Sequence, residues 1–209
     1  MKKILLFLLI LVVTLSSAYS TSDYISTLVG YEELGLVTYE GESLAIKGTS
    51  FTVEALSIEE YTNRGISFST SYILPTGLQS TFDGFSTSLD LTPDMIKEIT
   101  KTAAVINTSL LFSAIDPYSN FINAWGLSSL NIYDYTSSSL FSLLSITGRF
   151  EYNTGITQDL IFRAGFDCSI PLVMTSHAEG KTEAYPVAIA FAIGVPLHIR
   201  PYIGIAYSI

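Results

Sequence analysis

Strict alternation of apolar with small or polar side chains limits this chain more than any other feature, and it is longest over residues 185–209. The odd positions Tyr185, Val187, Ile189, Phe191, Ile193, Val195, Leu197, Ile199, Pro201, Ile203, Ile205, Tyr207 and Ile209 are all apolar. Between them lie mostly Ala, Gly, Pro and Ser, with His198, Arg200 and Tyr202. A period of two is that of a strand, whose successive side chains point to opposite faces. The run is too long for one ordinary strand, so it predicts two strands joined by a tight turn of even length near residues 196–200. An even turn leaves each parity on its own face.

The same period returns upstream. Leu160, Phe162, Ala164, Phe166, Cys168, Ile170 and Leu172 share one face, opposite Arg163, Asp167 and Ser169. In the run before it, Leu144, Ile146, Phe150 and Tyr152 oppose Ser145, Thr147, Arg149 and Glu151, and residues 153–159 form a hairpin-type connection. Residues 66–74 and 85–91 alternate as well, and weaker strands are expected at 44–56, 104–115 and 124–135. That makes about nine runs, with residues 24–39 as a tenth. One stretch breaks the period: Thr92 as N-cap, Pro93 and Asp94, then Met95, Ile96, Ile99 and Ala103 at helical spacing, predict a short amphipathic helix near 92–102. It is expected to cover a barrel end or groove; a plug or a membrane-surface helix is the sharper alternative.

Lys2 and Lys3, the apolar run from Ile4 to Val13 and the small residues Ser16, Ala18 and Ser20 have the layout of a secretory signal peptide at 1–20, leaving 21–209 as one domain. No cysteine follows that run to carry a lipid. Cys168 is the only cysteine among 209 residues, so no internal disulfide staples the fold.

Charge decides which solvent the apolar face meets. Only 14% of residues are charged, against roughly 25% in soluble domains. Opposite the large apolar residues stand Ser, Thr, Ala and Gly, where a water-facing strand would carry Lys and Glu; a narrow lumen suits such small groups. Tyr72, Tyr152, Tyr185 and Tyr207 sit at run ends, as in the aromatic girdles of membrane barrels. Ten Lys and Arg against nineteen Asp and Glu, a net charge of −9, argue against nucleic acid as a partner. In hydrocarbon an unpaired backbone N–H or C=O costs several kcal/mol, so a sheet facing lipid must close on itself. The fold expected is all-β: a closed antiparallel up-and-down transmembrane β-barrel of about eight strands, with ten as the alternative.

The C-terminal "PYIGIAYSI" resembles the closing strand of small bacterial outer-membrane β-barrels of the OmpW, OmpX and OmpA type, with Ile209 where those families usually end in Phe. The resemblance covers the signal peptide and roughly the last 65 residues well. It implies residence in the bacterial outer membrane, contact with its lipid, and insertion by the barrel-assembly machinery. It carries over no catalytic or ligand residue.

On this reading Ile189, Phe191, Ile193, Ile203, Ile205 and Tyr207 face lipid, while Arg149, Glu151, Arg163, Asp167, His198 and Arg200 line the lumen. With the turn after Glu151 centred near residue 157, Glu151 is expected directly across from Arg163, with Arg149 and Asp167 on the same wall. The pairs Glu32-Glu33, Glu40-Glu42 and Glu59-Glu60 read as solvated loop charge. His177 and His198 lack a carboxylate or second His at ligand spacing, so no metal and no cofactor is expected. No G-x-S-x-G elbow or phosphate loop points to an enzyme. Three functions stay open: a narrow pore or conduit for a small apolar solute, a structural or adhesin-like surface barrel without transport, and a soluble exported all-β binding module.

Overall fold

The computed structural model describes residues 21–37, 43–59, 63–82, 85–115, 120–157, 159–178, 180–186 and 198–209. The signal segment at 1–20, Ile189, Phe191 and Ile193, and Glu40, Glu42 and Glu60 lie outside them. The strands are β1 (Thr21–Val37), β2 (Ser43–Glu59), β3 (Arg64–Phe82), β4 (Phe85–Asp90), β5 (Ala103–Ile115), β6 (Phe121–Asp134), β7 (Ser139–Gly155), β8 (Leu160–Ala178), β9 (Lys181–Pro186) and β10 (His198–Ser208); the helix α1 is Pro93–Thr102.

Each strand pairs antiparallel with the next around a ring β1-β2-β3-β5-β6-β7-β8-β10, and β10 pairs back to β1, so eight staves close the barrel. The two six-residue strands extend the wall: β4 pairs only the upper end of β3, and β9 only the upper end of β8. Ten described strands by count thus make eight staves. The expected turn at 196–200 is corrected: His198 to Arg200 already belong to β10, paired to Ser169, Cys168 and Asp167 of β8, because closure recruits them.

The two rims differ. The connections β2–β3, β5–β6 and β7–β8 lie at the rim that also holds both ends of the described chain, where Ile209 N donates to Asp23 O at 3.0 Å and Ser208 N to Asp159 O at 2.9 Å. At the opposite rim, which carries the two longest connections, β3 to β5 and β8 to β10, and is called the wide rim for that reason, stand α1, β4 and β9. Thr92 caps α1, its Oγ1 accepting from Met95 N at 3.4 Å, and no residue of the helix is buried, so it does not plug the lumen. Asp134 closes the β6–β7 turn there, accepting from Thr136 Oγ1 at 2.6 Å and N at 2.8 Å and from Ser137 Oγ at 2.7 Å; these bonds, Thr136's hydroxyl foremost, hold its carboxyl down at about 2.

Side chains are inverted relative to a water-soluble barrel. Val53, Ile66, Trp125, Ile146, Phe150, Ile203 and Ile205 point outward and exposed, while Ser26, Thr52, Ser69, Ser109, Ser128 and Thr147 are buried inside. Aromatic pairs Phe112–Trp125, Phe121–Tyr152 and Phe150–Phe166 stand on the outer face toward the short-turn rim at ring separations of 6.2, 5.2 and 5.2 Å. Toward the wide rim the faces exchange character. Going up β6, outward Trp125 and Leu127 give way to Ser129 and Asn131 as inward Ser128 gives way to Leu130; on β7, outward Leu144 gives way to Ser142 as inward Ser145 gives way to Leu143. Inside, Ile73, Val105, Leu130 and Leu143 form an apolar cluster, with Ile132, Phe141 and Met174 packed on it. Met174 is there because β8 bulges: Ser145 pairs Pro171 but Leu144 pairs Val173, so Leu172 has no partner on β7 and the parity flips beyond it.

Close approach of neighbouring staves requires glycine at Gly204, opposite Leu28, where a Cβ would run into Thr27 O and Leu28 Cα. Gly204→Val is therefore expected to lower stability by about 1–3 kcal/mol, read as a lower unfolding midpoint in detergent, and an unchanged midpoint would refute the tight contact.

Candidate functional site: a charged cluster across the lumen

Arg149, Glu151, Arg163, Asp167, His198 and Arg200 all sit on the inner face and are buried. The hairpin register differs from the expected one by two. Ile156 N and Thr157 N both bond Leu160 O, which centres the turn at 158, so Arg149 faces Asp167, Glu151 faces Gly165 and Arg163 faces Asn153. Arg163 still reaches Glu151 along the diagonal, as a long side chain can: its Nε donates to Oε1 at 3.0 Å and its Nη2 to Oε2 at 2.6 Å.

The other pairs tie opposite walls together. Arg149 grips Asp167 with Nε at 2.8 Å and Nη2 at 3.1 Å, and its Nη1 crosses to Glu54 of β2. Glu54 Oε1 also lies 2.6 Å from Arg163 Nη1. Arg200 bonds Asp167 on one side and Thr52 and Ser71 of β2 and β3 on the other. Tyr202 donates to Glu151 Oε2 at 2.6 Å, and the guanidiniums of Arg149 and Arg200 lie over its ring at 5.3 and 5.5 Å from the centroid. Three guanidiniums thus meet three carboxylates, Glu54, Glu151 and Asp167, in a neutral bridge across the bore. Hydroxyl pairs continue it around the wall, Ser128 to Thr147 at 2.5 Å, Thr147 to Ser169 at 2.8 Å and Ser69 to Ser109 at 2.6 Å.

Burial of so many charges is tolerable only because nearly every lone pair and N–H is answered within the cluster. The arrangement fills the bore and polarises it. Among the described residues no three His, Cys, Asp or Glu gather as a metal site.

Sequence reasoning missed Glu54, Tyr202 and Glu32. Glu54 carried a signal: it lies between outward Val53 and Ala55 and is the lone charged residue from 48 to 58. Glu32, read as loop charge, lies inside β1 and is buried, and His198, read as having no carboxylate, has its Nε2 2.8 Å from Glu32 Oε2. Glu33 and Glu59 likewise belong to strands, β1 and β2. The strands that bring Glu32 and His198 together are the first and the last, so no local spacing could reveal the pair.

No family model and no curated protein matches the chain. Solved structures do. The chain is similar to Neisserial surface protein A, with 11% identity, 91% of this chain and 99% of that one covered, and a TM-score of 0.49. It is similar to a major outer membrane protein from Thermus thermophilus, at 11% identity, 91% and 100% coverage and a TM-score of 0.46. It is also similar to the outer membrane protease OmpT from Escherichia coli, at 10% identity, 90% and 96% coverage and a TM-score of 0.30.

Proposed function

We propose that this protein is an outer-membrane β-barrel that crosses the bilayer as a sealed ring of staves and presents its wide rim outside the cell, a structural or surface-interaction barrel rather than an open pore. The observation that carries this reading is the neutral bridge of Arg149, Arg163 and Arg200 with Glu54, Glu151 and Asp167, which crosses the bore from β2 to β7, β8 and β10. An ion entering there would have to displace paired charges in a low-dielectric lumen. The outward belt that includes Ile203, Ile205 and Tyr207 supports lipid contact, and short turns at the rim holding the termini support the usual mounting, with that rim periplasmic. In this reading residues 1–20 direct export, the assembly machinery reads β10, and no catalysis is assigned.

Purified protein folded into a planar bilayer is expected to leave the conductance of the bare membrane unchanged, with no unitary steps. Folding is checked first by a difference in gel migration between unheated and boiled samples. Regular single-channel steps from the folded form would overturn the sealed reading and restore the pore for small solutes.

A further inference from the structure

α1 interrupts a stave. One edge of β3 pairs β2 from Arg64 to Thr81, and the other pairs β5 over Arg64–Ile73 and β4 over Gly77–Phe82. β4 and β5 are therefore successive lengths of one descending stave, and residues 91–102 leave the wall between them. The excursion departs where Leu91 N donates to Thr76 O at 2.9 Å and returns where Tyr135 N donates to Thr102 O at 2.7 Å. At that height the bore is filled by the cluster of Ile73, Val105, Leu130 and Leu143, yet no residue of α1 is buried against it, so the helix hangs on the outer side of the wall.

The helix has two unlike sides. At about 3.6 residues per turn, Met95, Ile96 and Ile99 fall together on one, and Asp94, Lys97, Glu98 and Lys101 on the other. Met95 is 38% exposed, while Ile96 and Ile99 are half-buried. The wall below carries the apolar belt up to the helix: Tyr72 and Leu74 of β3 point outward there, with Ile106 of β5, the partner of Tyr72, whereas β6 and β7 have already turned to Asn131 and Ser142. Beside the helix Tyr133 and Tyr135 are exposed with their rings 5.1 Å apart, and tyrosines gather at membrane–water interfaces.

We infer that α1 is a membrane-surface helix lying in the headgroup layer at the wide rim, with Met95, Ile96 and Ile99 turned to the boundary with the acyl chains and Lys97 and Lys101 turned to water and lipid phosphate. The occupant of the apolar side is the bilayer, because that side continues the lipid-facing belt. So short a helix would bind lipid weakly on its own; tethered at both ends to a stave that stands in the bilayer, it is held at the surface it binds. This inference rests on the outer-membrane reading.

Trp125, the only tryptophan, faces outward in the belt and reports on that reading separately. In phosphatidylcholine vesicles its fluorescence is expected to be quenched by nitroxides on the acyl chains. Ile99→Trp and Lys97→Trp, each in a Trp125→Phe background, then report on the two sides of α1. The expected result is that Ile99→Trp is quenched by a nitroxide near the headgroup end of the chain and several-fold less by aqueous iodide than Lys97→Trp is. Trp125 quenched by lipid while iodide reaches both helix positions equally overturns the surface helix alone and leaves its apolar side to a soluble partner. Trp125 untouched by lipid nitroxides overturns the membrane reading and the surface helix with it. If Trp125→Phe does not fold, a spin label on Ile99→Cys in a Cys168→Ala background, with Trp125 kept, decides: greater accessibility to oxygen than to a nickel chelate supports the helix at the surface, and the reverse overturns it.

Discussion

Replacing Glu54 by leucine is expected to destabilise the barrel by about 3–5 kcal/mol, the usual consequence of removing one partner from a buried ionic set. Among the described residues Glu54 is the one carboxylate that touches both Arg149 and Arg163 from the opposite wall. Without it those guanidiniums keep Asp167 and Glu151, yet the bridge carries one uncompensated positive charge in a medium that solvates it poorly. Glu54→Gln, which keeps an acceptor but not the charge, should fall between the two. Denaturant unfolding in lipid vesicles or detergent, followed by the loss of the fast-migrating form on unheated gels, gives the ranking. A leucine variant within about 0.5 kcal/mol of the unaltered protein would mean that the bridge does not hold the walls together.

Arginine at Ile203 should cost roughly 2–4 kcal/mol, with a similar or smaller penalty at Ile205 and little at Tyr207 next to the rim. All three point outward on β10 and are exposed, so in water such substitutions would be nearly neutral. The gradient with depth is therefore the signature of hydrocarbon, and equal costs at the three positions would remove it.

The staves with small inner side chains are legible in the sequence, and those with mixed interiors are not. On β10, and on β7 from Leu144 to Tyr152, the outer face is mostly large and apolar and the inner one small or polar, so parity alone assigns both faces. On β1, Leu28 points inward and Thr27 outward, which blurs the alternation and makes residues 24–39 read as a marginal strand. Spacing alone puts Arg163 directly across the hairpin from Glu151; a turn centre one residue further along shifts every partner by two, and only the reach of the arginine restores the contact. Parity puts Leu172 on the face of Leu160 through Ile170, but a bulge is a backbone event that periodicity cannot register. Glu32 and His198 meet only because the barrel closes.

The exchange of character between the two faces has a consequence for sorting among membranes. Outward apolar residues on β7 run from Leu144 to Tyr152, which at a strand tilt near 40° spans roughly 20 Å, while the 17-residue strand as a whole rises roughly 40 Å. A bilayer with a hydrocarbon core of about 30 Å would have to thin around this molecule, at a cost of a fraction of a kcal/mol for each ångström of mismatch. The outer membrane of bacteria is thinner than average, so hydrophobic mismatch favours that compartment independently of any export signal. Sliding toward the rim of the termini would immerse Ser142, Ser129 and Asn131 and strip Phe121 and Tyr152, and sliding away from it would draw that rim's turns into hydrocarbon, which leaves the barrel a single resting depth.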